Sequence, residues 1–182
     1  MKNDNLMYKL KSMITPDFSL ELPCSLEEVD DFLSIPQTRT LETLRLLQGD
    51  ILVLGAGGKM GLHLSKMLKE AMCRLGKSNI VWAASRFKTL NSMQAYEASG
   101  IRTLAGDFLD SNFVDQLPDC PVVFYLVGAK FRTSGKPDLL RAINVELPKT
   151  IAERFCSSRI VAFLSLIHIS EPTRRTPISY AV

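Results

Sequence analysis

Between residues 51 and 63 the chain reads Ile51-Leu-Val-Leu-Gly55-Ala-Gly57-Gly58-Lys-Met-Gly61-Leu-His63, an order of residues that few folds accommodate. The aliphatic run Ile51 to Leu54 has the character of a strand buried on both faces, as in a parallel sheet covered by helices. Passing from such a strand straight into a helix requires a residue free of Cβ clashes, and Gly55 meets that requirement. Gly58 would let the backbone approach a pyrophosphate, and Gly61 would let the helix pack closely on the strand. The amides of Lys59 and Met60, with the positive end of the helix dipole, would then face the phosphates. The spacing is G-x-x-G-x-x-G rather than G-x-G-x-x-G, and the absence of a following Gly-Lys-Ser/Thr excludes a Walker loop. A tight turn with a purely structural purpose is the competing reading. His63, one turn into the helix, reads as a helix-face residue ahead of a catalyst.

The rest of the chain supplies the partners that such a strand needs. Ser25-Leu-Glu-Glu28 has the form of a capping box and predicts a short helix through Phe32 and Leu33, ending before Ile35-Pro36. Leu41, Leu44 and Leu47 predict a second helix near Thr40–Leu47, with Gly49 as its stop. After the glycine turn, residues 62–75 form an amphipathic pattern with Leu64, Met67, Leu68, Met72 and Leu75 on the inner side. Further strands are expected at 79–84, 101–104, 121–126 and 159–163, and helices at 93–98, 108–117 and 139–155, where Pro148 should interrupt or restart the helix. This alternation is the signature of βαβ units with right-handed crossovers. The expected fold is α/β, a Rossmann-like doubly wound parallel sheet, incomplete at about five strands, preceded by an N-terminal helical extension over residues 1–49. Residues 1–20 show no sustained period and are expected to be loosely ordered.

The end of strand two bears on the ligand. A carboxylate there would take the ribose hydroxyls of NAD, but the residues are Ala83-Ala-Ser85-Arg86. Ser85 can donate to a 2′-phosphate and Arg86 can pair with it bidentately, so the expected cofactor is NADP or NAD, with NADP preferred. Arg86 stacked on adenine, or facing solvent, is the alternative. The formal charge of +3 is spread along the chain, which argues against a nucleic-acid partner. The longest apolar stretch, Val122 to Ala129, falls far short of the roughly 20 residues of a membrane span. Four cysteines, at 24, 73, 120 and 156, are too dispersed for a metal knuckle. Without a secretory leader pattern they are expected to be reduced thiols of a cytoplasmic protein.

Taken together, these residues resemble the extended short-chain dehydrogenase/reductase family, the NAD(P)-dependent epimerases and dehydratases of nucleotide sugars, over residues 50–163. The likeness rests first on Gly55-Ala-Gly-Gly58-Lys-Met-Gly61, although Leu54 stands where Thr is usual. It rests also on Ala105-Gly-Asp107-Phe-Leu-Asp110, Tyr125-Leu-Val-Gly-Ala129 and Asn144-Val-Glu. The resemblance implies that Asp107 and the Phe108 amide meet the adenine. It places Val127, Gly128 and Ala129 along the ribose and nicotinamide, with Asn144 steadying the loops beneath. Asp107, Asp110 and Asn144 could equally be capping residues, and Glu146-Leu-Pro148 departs from the family's Gly-Thr. Lys130, Arg132 and Lys136 would meet either a substrate phosphate or solvent.

Chemistry in that family comes from a Ser or Thr and a Tyr-x-x-x-Lys beyond strand five. No Tyr-x-x-x-Lys occurs here; Lys130 lies five places after Tyr125, one too many. Residues 164–174 and 178–182 resemble the two ends of a translated transposase-type sequencing-library adapter, so residues 164–182 are expected to be an artefactual tail. The implied function is the NAD(P)-binding part of a nucleotide-sugar epimerase/dehydratase or reductase-like oxidoreductase, itself catalytically silent. A small-molecule substrate, and a homodimer as one open assembly, belong to the intact parent. The alternative is a non-catalytic dinucleotide-binding regulatory or scaffold protein.

Overall fold

The structure is a computed structural model describing residues 23, 25–87, 90–128 and 137–163; for Leu26, Glu27, Lys59, Leu90 and Asn91 it describes the backbone alone. The expectations for residues 1–20, Cys24, Ala129, Lys130, Arg132, Lys136 and the 164–182 tail lie outside the described residues.

Five strands, β1 (Ile51–Leu54), β2 (Val81–Ser85), β3 (Arg102–Ala105), β4 (Val122–Tyr125) and β5 (Arg159–Ala162), form one sheet in the order β3-β2-β1-β4-β5. Every pairing is parallel, with Ile51 opposite Val81 on one side and Val122 on the other. Flanked by helices, this is a Rossmann-like doubly wound arrangement. The central position of β1 explains its composition: all four side chains are fully buried, and the pleat sends them alternately to two separate cores. Ile51 and Val53 join Leu68, Met72, Val81, Ala83 and Tyr96 on one face. Leu52 and Leu54 join Val123, Tyr125, Leu147, Ile151 and Phe155 on the other. Each fully buried aliphatic side chain of this kind stabilises the fold by about 1.5–3 kcal/mol.

The helices are α1 (Leu26–Leu33), α2 (Thr38–Arg45), α3 (Lys59–Arg74), α4 (Leu90–Ala98), α5 (Ser111–Asp115), α6 (Pro137–Arg141) and α7 (Leu147–Arg154), with a π-helical turn at Ala142–Glu146 between the last two. The capping box of α1 is formed: Glu28 N donates to Ser25 Oγ at 3.2 Å and Ser25 N donates to Glu28 Oε2 at 3.3 Å. Helix α3 starts three residues before the expected Leu62, directly from the glycine turn. Its innermost residues are Ser65, Leu68, Ala71 and Met72, whereas Leu64, Met67 and Leu75 are half-buried. Leu68 and Met72 are thus on the inner side as expected, with Leu64 and Leu75 packed against the same core, and Ser65 and Ala71 add to that stripe. The π turn has a local cause. Pro148 has no N–H, so the Asn144 carbonyl four residues earlier loses its α-type partner and the helix widens there.

Strand β2 starts two residues later than the expected Asn79. Asn79 Nδ2 donates to the Gly49 carbonyl and Ile80 N to Asp50 Oδ1 (2.8 Å), which ties residues 79 and 80 to the chain entering β1. Helix α2 belongs to the same core, where Leu41 and Leu44 are buried with Ile51 and Val53 of β1. Asp30 meets His63 Nε2 at 2.7 Å and Asp31 meets Lys66 Nζ at 3.2 Å, fastening α1 along α3. Such partly exposed pairs contribute less than about 1 kcal/mol each, so the apolar burial does most of the holding.

Cys120 is buried on the α7 side of the sheet, and Cys73 and Cys156 are exposed; all three are free thiols. Burial, with the nearby Asp50 and Asp119 charges adding to it, pushes the Cys120 thiol up to about 12. Because the raised value favours the neutral form, Cys120 supports folding at neutral pH and loses that support as pH climbs towards about 12. In iodoacetamide labelling at pH 8, followed by peptide mass mapping, Cys73 and Cys156 are expected to react at least about 100-fold faster than Cys120. Equal rates would place Cys120 outside the core.

Candidate functional site

At the C-terminal edge of the sheet the strands end in step, with Leu54 opposite Ala84 and Tyr125, and Ser85 opposite Ala105. The loops that follow β1, β2, β3 and β4 therefore open on the same side of the molecule. The order of the sheet reverses between β1 and β4, and in open parallel sheets ligands settle at such a switch point.

The glycine turn fills the β1 side of that crevice. Gly55 N donates to the Ala84 carbonyl (2.9 Å) and Leu126 N to the Leu54 carbonyl (2.9 Å), tying the turn to both neighbouring strands. Gly55 has φ +80°, and a Cβ there would lie 2.8 Å from the Leu126 carbonyl carbon and the Val127 nitrogen. At Gly61 a Cβ would lie 2.1 Å from the Ala56 carbonyl oxygen, and at Gly57 one would lie 2.5 Å from Ser85 Oγ. Gly58 differs from these three. Its φ of −87° and ψ of 164° suit any residue, and the nearest atom to an added Cβ is the Gly55 oxygen at 3.9 Å.

Gly58 is also the N-cap of α3, and no side chain caps that helix. Gly61 N and Leu62 N donate to the Gly58 carbonyl at 3.0 and 3.2 Å; glycine is a serviceable N-cap, but Ser, Asp or Asn would in addition satisfy a first-turn amide. Backbone packing accounts for Gly55 and Gly61, Gly57 faces only the Ser85 side chain, and Gly58 has no close neighbour. What its missing side chain leaves is open space over the first-turn amides of Lys59 and Met60, at the positive end of a 16-residue helix.

The remaining candidates are distributed along the same edge. Ser85 ends β2 beside Gly57, and Arg86 is exposed immediately after it. Phe87 follows with φ +30°, a conformation that costs a non-glycine residue about 1–3 kcal/mol. Gly106 N donates to the Ser85 carbonyl (3.1 Å), which sets the β3 loop next to the β2 end. Asp107 is exposed, and its Oδ1 accepts from Leu109 N at 3.1 Å, ordering its own turn. Asp110, not Asp107, caps α5, accepting from Asn112 N at 3.0 Å. The Phe108 side chain is buried against Phe113, with ring centroids 5.6 Å apart, so only its backbone could meet a ligand.

On the far side of the switch point, Val127 is half-buried and Gly128 is exposed, with no atom within 4 Å of an added Cβ; Ala129 lies outside the described residues. Asn144 is half-buried at the centre of the π-helical turn, a distortion common near functional sites. Tyr125 points into the core, where burial pushes its hydroxyl up to about 12, and that hydroxyl has no partner among the described residues. His63 is held by Asp30 on α1, as a helix-face residue.

Tyr96 was not among the sequence candidates, yet its buried hydroxyl donates to the Ala56 carbonyl inside the glycine turn. Tyr96 is the one aromatic residue of α4, and nothing in the sequence says that its far end meets a loop 40 residues earlier. Two further hollows lie away from this edge. One of about 380 Å³ separates Asp31 and Ile35 from Lys66, Lys69 and Cys73, and one of about 410 Å³ is lined by Asp119, Cys120 and Arg154. Among the described residues, no three His, Cys, Asp or Glu side chains gather as a metal site, and no helix is long and apolar enough to cross a membrane.

No family model matches the chain, and no curated protein matches it. The fold and the crevice therefore carry the functional argument. A parallel sheet of this order, with helices on its faces and a glycine turn between its central strand and a long helix, is consistent with a dinucleotide-binding domain in general.

Proposed function

We propose that the glycine turn and the loops beside it bind NADP or NAD, and that the chain is the cofactor-binding part of an oxidoreductase of the extended short-chain dehydrogenase/reductase type. The substrate class is then a nucleotide sugar. The observation that carries the proposal is Gly58, the glycine of the turn at which an added Cβ would meet no atom closer than 3.9 Å. The amides of Lys59 and Met60 hold the diphosphate in this reading. Ser85 and Arg86 take the 2′-phosphate or ribose of the adenosine, and Asp107 with the Phe108 amide takes the adenine. Val127, Gly128 and Ala129 take the ribose and nicotinamide side in this reading, with Asn144 steadying the loops beneath. When bound, the nicotinamide accepts or donates a hydride.

The sequence contains no Tyr-x-x-x-Lys to move the accompanying proton, and the chain by itself is proposed to bind without turnover. The second reading is a non-catalytic dinucleotide-binding regulator or scaffold. A cytoplasmic setting belongs to the proposal, and the free Cys73, Cys120 and Cys156 are compatible with it.

Calorimetric titration of the purified chain with NADPH and NADH tests the reading. NADPH is expected to bind about 10-fold or more tightly than NADH, the worth of a charge-assisted pair at about 1.5–3 kcal/mol. Arg86→Ala should erase that preference and leave NADH affinity unchanged. If neither dinucleotide binds, the proposal fails.

A further inference from the structure

One peptide of the glycine turn is oriented by a residue from outside it. Tyr96, only 3% exposed on α4, donates its hydroxyl to the carbonyl of Ala56, which is fully buried. The Tyr96 ring is braced edge-on by Phe87, with centroids 5.4 Å apart and planes at 71°. Phe87 holds that position with a left-handed backbone, two residues after Ser85. The Ala56 oxygen is closed in from the other side by α3, where an added Cβ on Gly61 would come within 2.1 Å of it. In a trans peptide the carbonyl and the following N–H point in opposite directions. With the Ala56 carbonyl drawn inward, the Gly57 N–H is turned outward, and Gly57 is exposed.

We propose that Tyr96 is a positioning residue for the anion site: by holding the 56–57 peptide it presents the Gly57 amide, beside those of Lys59 and Met60, to a diphosphate. The inference rests on the dinucleotide reading above and adds to it a donor and the residue that aims it. Burial raises the Tyr96 hydroxyl above the ordinary phenol value, so the proton it donates is retained across the physiological range. Without the hydroxyl, the Ala56 carbonyl loses its buried partner and the 56–57 peptide is held less firmly, at the cost of a preorganised donor.

The test is Tyr96→Phe in the full chain, which keeps the ring and its contact with Phe87. Two probes are titrated, NADPH and inorganic pyrophosphate, with adenosine as the control lacking a diphosphate. Affinity for both probes is expected to fall about 10-fold while adenosine binding stays the same. In ¹⁵N–¹H spectra the Gly57 amide of the parent should shift on adding pyrophosphate, and that response should vanish in Y96F. Unchanged affinities with an unchanged Gly57 response would overturn the inference and leave the dinucleotide reading standing. If no amide of the turn responds in the parent to either probe, the dinucleotide reading fails and the inference with it. Should Y96F not melt cooperatively, the parent spectra decide: a silent Gly57 beside responsive Lys59 and Met60 overturns the proposal, and a response from all three supports it.

Discussion

Gly58→Asp is expected to abolish NADPH binding, a loss of at least 100-fold, while the melting temperature holds or rises by about 1 °C. Two effects act in opposite directions at this residue. For the helix, the substitution is favourable. Gly58 sits at the N-cap of α3 in an extended conformation open to aspartate, with space around its Cα, and an Asp side chain can accept from an amide of the first turn. Its charge also complements the helix dipole, so the gain is a few tenths of a kcal/mol or more. For a bound diphosphate the change is adverse. The new carboxylate takes the amides that the phosphates would use and sets a negative charge where two more must enter, costing about 3 kcal/mol or more. Stability and affinity therefore move apart, which separates a ligand-bearing glycine from a folding glycine. Calorimetric titration and a thermal melt on the same preparation decide it. Undiminished affinity would mean that the dinucleotide does not cross the mouth of α3.

Gly61→Ala is expected to act through the fold instead, lowering stability by about 2–3 kcal/mol and the melting temperature by about 5–10 °C. Alanine in a helix is favoured over glycine by about 1 kcal/mol, so the sign depends on what the new methyl meets. It meets backbone: the Ala56 oxygen at 2.1 Å, and its carbonyl carbon and Cα at 2.5 Å. None of these atoms can swing aside as a side chain would, and the Ala56 oxygen is held by Tyr96. Helix α3 must then lift from β1, opening the core at Ser65, Leu68 and Met72. The expected loss of NADPH binding follows from the displaced helix mouth. A melt equal to or above that of the parent would show that α3 and the turn are not packed this closely.

Much of the architecture could be read along the chain because its causes are local. The Ile51–Leu54 run, its glycine turn and the alternation of strand and helix to residue 163 are visible as patterns of period and backbone freedom. The capping box at Ser25 and Glu28 is complete within four residues. One departure has a cause outside its own segment: strand β2 starts late because Asp50 and Gly49 take the residues before it.

The candidate site divides in the same way. Gly55, Gly58 and Gly61 could be named from spacing and Ser85 and Arg86 from the end of strand two, whereas Asp107 and Val127 are implied by the family resemblance. The contrast between a glycine that packing requires and one that it does not appears only when neighbouring atoms are in place. Lys77 closes the C-terminal end of α2 by donating to the carbonyls of Leu44 (3.0 Å), Arg45 (2.6 Å) and Leu47. Asp30 reaches His63, and Tyr96 reaches Ala56. In each case 30 to 40 residues separate the partners. Periodicity and backbone stereochemistry act over a few residues and so can be read from the chain alone. Which side chain completes an open helix end, or aims a peptide in a loop, depends on how distant segments cross the sheet, and no local pattern encodes that.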